Sequence, residues 1–141
     1  MRRRIAATLA TLTLGTAAAL LPSSPAFAAN DSFWAYTTDH CGAIEFVDSG
    51  TYSDGSTNDD FFKIHDYCTD GHGVRATVVF DYESTYTKYN GLGYAGPPVY
   101  WDPWTNVLTG ENISMEVCLV DGASDTTGAK CGWADHTSID G

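Results

Sequence analysis

Cationic side chains are scarce in this chain of 141 residues, where seven Lys and Arg stand against 18 Asp and Glu. Three of the seven are Arg2, Arg3 and Arg4, so residues 29–141 keep only Lys63, Arg75, Lys88 and Lys130 and carry a formal charge of −14. Polyanion binding draws on a basic stripe that releases counterions, and four scattered cations cannot form one, which excludes nucleic acid as a partner. Anionic membrane surfaces are disfavoured for the same reason. The chain also lacks a helical apolar period, a long linker, an internal repeat and any low-complexity tract. No serine sits in a G-x-S-x-G elbow and no histidines follow the H-E-x-x-H spacing, so neither an esterase-type nucleophile nor a zinc protease helix is written in the sequence.

What is present begins at the N-terminus. The three arginines precede an apolar run over residues 5–21, and Ala26, Phe27 and Ala28 form a small-x-small cleavage site. Residues 1–28 read as a secretory signal peptide, leaving 29–141 as a single secreted domain that retains no membrane attachment. Cys41, Cys68, Cys118 and Cys131 all lie beyond the cut, in a compartment where disulfides persist. Four cysteines allow three connectivities. The sequential one, Cys41 with Cys68 and Cys118 with Cys131, is favoured because each pair brackets two neighbouring strand candidates.

The apolar residues alternate with period two, and turn signals arrive every ten residues or so, which predicts an all-β domain. Residues 74–82 form the clearest strand, with Val74, Ala76, Val78, Phe80 and Tyr82 on the core face. A second runs over 112–121, placing Ile113, Met115, Val117 and Leu119 inward and Cys118 off the main core face. Shorter candidates cover 42–47, 61–67, 99–101 and 130–136, with turn clusters at 48–60, 70–73, 90–98 and 121–128. Six or seven strands at this spacing predict a small disulfide-stapled β-sandwich, with a compact β-barrel as the alternative.

Gly91, Gly93 and Gly96 satisfy G-x-G-x-x-G, but Pro97 and Pro98 follow, so no helix opens there to hold a pyrophosphate. The stretch is a glycine-rich loop. Asp54, Ser56, Asn58, Asp59 and Asp60 offer oxygens at calcium-loop density without the EF-hand glycine and glutamate, and Asp54, Asn58, Asp59 and Asp60 are the candidate calcium ligands; no other cofactor is implied. His40, His65, His72 and His136 leave room only for a site assembled by the fold.

The most distinctive cluster is aromatic. Tyr86, Tyr89, Tyr94, Tyr100, Trp101 and Trp104 fall within 19 residues among glycines and prolines. Rings carried on loops make flat apolar platforms for a sugar ring or a partner's pocket. The leading expectation is a non-enzymatic extracellular module that binds a protein or glycan through Tyr89, Tyr94, Tyr100, Trp101 and Trp104. A small secreted hydrolase using a His/Asp site is the second reading, with His72 near Asp70 and His136 near Asp135 as the available pairs. A secreted protease inhibitor presenting a disulfide-braced loop is the third.

The segments Asp70, Gly71, His72, Gly73, Val74, Arg75 and Val117, Cys118, Leu119, Val120, Asp121, Gly122, followed by Cys131 and preceded by an alanine-rich leader, resemble small secreted actinobacterial proteins of unassigned activity. The resemblance implies an extracellular, disulfide-bonded β domain and carries no catalytic residue across.

Overall fold

The computed structural model describes residues 30–104 and 106–139; the leader at 1–28 lies outside them. Eight strands follow in chain order: β1 (Phe33–Tyr36), β2 (Gly42–Thr51), β3 (Thr57–Asp66), β4 (Gly73–Phe80), β5 (Ser84–Asn90), β6 (Val99–Trp101), β7 (Asn112–Val120) and β8 (Ala129–Thr137). They form two four-stranded antiparallel sheets, ordered β1-β2-β3-β6 and β5-β4-β7-β8. The sandwich expected from the alternating pattern is therefore the fold.

Period-two alternation decides which residues meet between the sheets. Ile44, Phe46, Phe62 and Ile64 face Val74, Ala76, Val78, Ile113, Met115, Val117 and Leu119, and all are buried. Each of these side chains other than Ala76 contributes roughly 1.5–3 kcal/mol by leaving water, which makes this layer the dominant stabilising term. Asn90 sits among them, wholly buried; its Nδ2 donates to the Ile64 carbonyl at 2.8 Å and its Oδ1 accepts from the Leu92 N–H at 2.9 Å, so one amide ties the second sheet to the first.

Three sequence expectations are revised. The first long strand ends at Phe80, not Tyr82: Asp81 and Tyr82 have φ of 47° and 62°, form a tight turn closed by the Glu83 N–H on the Phe80 carbonyl, and leave Tyr82 77% exposed instead of on the core face. The expected turn over 48–60 narrows to the residues between Thr51 and Thr57, because the β2–β3 pairing continues through Ser49 with Asp59 and Gly50 with Asn58. Finally, β1 and β5 are additional strands, which raises the count to eight and puts Tyr86 and Tyr89 on a strand.

Both disulfides join the favoured sequential partners. Cys41–Cys68 links the two chain segments flanking the β2–β3 hairpin at its open end, and Cys118–Cys131 staples β7 to β8 beside the register shift between Val117 and Leu119. Cys118 lies outside the main core cluster, as the alternation requires, yet it is buried. Among the described residues no helix is long and apolar enough to cross a membrane. That and the two disulfides are compatible with an extracellular protein.

At one side the two sheets meet edge to edge. The Thr38 N–H donates to the Lys130 carbonyl at 2.8 Å, and Gly132 of β8 lies against the Tyr36 carbonyl of β1. Nearby, buried Asp31 accepts from His136 Nε2 at 3.1 Å and from the Ile139 N–H at 3.0 Å through the same oxygen, Oδ2.

Candidate functional site: the outer face of the first sheet

The rings singled out in the 86–104 stretch do not form one platform. Trp104 packs inward, 4.8 Å from Phe80, 5.2 Å from Tyr86 and 5.4 Å from Phe62 between ring centroids, and Trp101 lies 5.7 Å from Phe62. Both seal one end of the core. Tyr89 lies on β5 against Gly73 and Gly91, while Tyr94 projects from the glycine loop and is 59% exposed. Tyr100 alone joins a larger aromatic surface.

That surface follows from strand register. Trp34 pairs with Glu45, Glu45 with Lys63, and Lys63 with Tyr100, so these four form one transverse row over all four strands of the first sheet. The next row is Tyr36, Ala43 and His65. Alternation sends both rows away from the core, on the face opposite Ile44, Phe46, Phe62 and Ile64. The ring planes of Trp34 and Tyr36 lie within 10° of each other at 5.6 Å, those of His65 and Tyr67 within 22° at 5.4 Å, and Trp34 meets His65 at 5.1 Å. Beyond the charged centre, Tyr100 stacks on Phe61 at 6.0 Å and Tyr52 meets both edge-on. Tyr36 and Tyr67 are each 41% exposed.

Three ionisable groups occupy the middle of these rings. Glu45 Oε2 lies 3.3 Å from Lys63 Nζ and 3.6 Å from His65 Nε2. Burial disfavours the imidazolium and lowers the His65 pKa, while the Glu45 carboxylate pulls the other way. Burial raises the Tyr67 phenol, with Tyr36 and Glu45 adding to the effect, so Tyr67 remains a neutral donor over the physiological range. Because the folded state binds the His65 proton less well than the unfolded chain, stability from this group is present above the ordinary value of 6.5 and is lost as pH falls toward the lower folded value. Replacing His65 by Gln is therefore expected to flatten the fall in thermal midpoint on acidification below 6.5; an unchanged slope in melts taken across that range would contradict the assignment.

The candidate calcium ligands are dispersed. Asp54 accepts the Ser56 N–H and hydroxyl inside the hairpin turn, Asn58 donates to Asp102 at 3.2 Å, Asp59 faces outward, and buried Asp60 accepts the Val107 N–H at 2.6 Å. Among the described residues, the groups of three or more His, Cys, Asp or Glu with mutually close ligand atoms are Cys41, Cys68, Asp70 and Glu116, Cys118, Cys131. Both contain disulfide sulfurs, which carry no thiolate to offer a metal.

The histidine–aspartate pairs differ from the sequence neighbours. His72 Nδ1 meets Asp121 Oδ1 at 2.7 Å, and His136 meets Asp31. The first lies in a recess of about 100 Å³ beside Asp125 and Thr127. There the Thr127 hydroxyl and the backbone N–H groups of Asp121 and Thr127 hold the Asp125 carboxyl down to about 2. The second is a structural clamp at the sheet edge.

Sequence reasoning missed Trp34, Tyr36, Glu45, Lys63, His65 and Tyr67 as one surface. They come from three strands and, for Tyr67, the position just past β3, and the pairing register brings the strands' residues together. No protein-family model, curated protein or solved structure matches this chain.

Proposed function

We propose that this protein is an exported, non-enzymatic binding module, sent out by the leader at residues 1–28, and that it holds a glycan on the outer face of its first sheet. The observation that carries the reading is the pair of transverse rows that sets Trp34, Tyr36, His65 and Tyr100 around Glu45 and Lys63, with Tyr67 stacked on His65 beside them. Sugar rings present apolar C–H faces to aromatic rings and hydroxyls to carboxylate, ammonium and imidazole groups, and this face supplies both kinds of partner within one sheet width. Protein interfaces concentrate apolar rings at the centre and exclude charge from it. Here the order is reversed, with the ions in the middle.

Retention on a panel of neutral polysaccharides, followed by calorimetry on the best of them, tests the reading. Tyr36→Ala and Tyr67→Ala are each expected to weaken binding by roughly tenfold, equivalent to about 1.4 kcal/mol, while the thermal midpoint stays close to the parent's because both rings are substantially exposed. Two variants that bind as well as the parent, or a parent retained by no member of the panel, would sink the proposal.

A further inference from the structure

The opposite face of the sandwich carries a second built feature. Thr77, Glu116 and Trp133 form one transverse row of the second sheet, and Val79, Ser114 and Asp135 form the next. Between them lies a cavity of about 310 Å³ that Met115 also lines. Its polar and apolar groups are sorted. Val79 is aliphatic, Trp133 is 68% exposed, and the two charged side chains, Glu116 and Asp135, are both carboxylates with no basic residue among the lining. The indole is held by its Nε1–H, which donates to Glu116 Oε1 at 3.1 Å.

We infer that this cavity is a binding site for a primary ammonium on an aliphatic stem, namely a lysine side chain of a partner peptide. The stem lies along Val79, and the ammonium sits between Glu116 and Asp135 beside the Trp133 ring, where carboxylates and an aromatic quadrupole act together on a cation. The volume is at the low end for a small-ligand site and accommodates one long side chain. Charge favours the encounter as well as the complex, since a domain carrying −14 draws in basic partners. The site does not depend on the glycan reading of the other face.

The test is titration of the purified protein with Nα-acetyl-lysine methylamide while following the Trp133 indole N–H cross-peak by NMR. Saturable shifts are expected with a dissociation constant on the order of 1 mM, whereas the uncharged norleucine analogue leaves the peak in place. Glu116→Gln keeps an acceptor for the indole N–H while removing the charge, and Asp135→Asn removes the exposed one. Each is expected to weaken the lysine probe by roughly tenfold, and added salt to weaken it further. Equal shifts from the norleucine analogue, undiminished affinity in both neutral variants, or tighter binding of glucosamine than of the lysine probe would overturn the inference.

Discussion

Gly132→Ala is expected to cost more than about 3 kcal/mol and to lower the thermal midpoint by roughly 10 °C or more. A Cβ at this position would lie 2.9 Å from the Tyr36 carbonyl carbon and nearer still to its oxygen. Both obstacles are backbone, so no rotamer change relieves them. β1 would have to move off β8, and the Thr38 to Lys130 hydrogen bond would go with it. Alanine restricts the unfolded chain and so favours folding by about 0.4–1 kcal/mol, but that gain is too small to offset a backbone clash. Thermal melts by circular dichroism decide the matter, and a midpoint within a degree or two of the parent would show that the two sheet edges are not packed as described.

Reducing both disulfides is expected to unfold the domain at room temperature. The bridges span 27 and 13 residues, which on the chain-entropy account contribute about 3.5 and about 3 kcal/mol by restricting the unfolded chain. Their sum is comparable to the roughly 5–15 kcal/mol of a typical domain. Losing Cys41–Cys68 alone should be the worse of the two single losses, since it closes the longer loop. Paired Cys→Ala variants, melted with and without a phosphine reductant, separate the contributions. A reduced protein with an unshifted transition would contradict the prediction.

The sandwich was legible because its central strands alternate cleanly. Val74, Ala76 and Val78, and Ile113, Met115, Val117 and Leu119, each declare a buried face within their own segment. The turn at Asp81 and Tyr82 was not legible, because neither glycine nor asparagine marks its left-handed backbone and Tyr82 continues the apolar alternation of β4. β1 escaped notice because it is only four residues long. The aromatic cluster in the 86–104 stretch looked like a surface because the rings are close in sequence. The fold divides them, sending Trp101 and Trp104 to the core end and Tyr100 to the outer face. The candidate face itself depends on partners such as Trp34 and His65, more than 30 positions apart, and on a register that no local pattern encodes.

The contact of Asp31 with the Ile139 amide brings the first and last described strands to a common corner. A short artificial peptide joining the ends there would turn the domain into a ring, which could be reopened at the exposed Asp81–Tyr82 bend as a circular permutant, or set as an inserted bead into a surface turn of another protein, with neither broad face obstructed by the join.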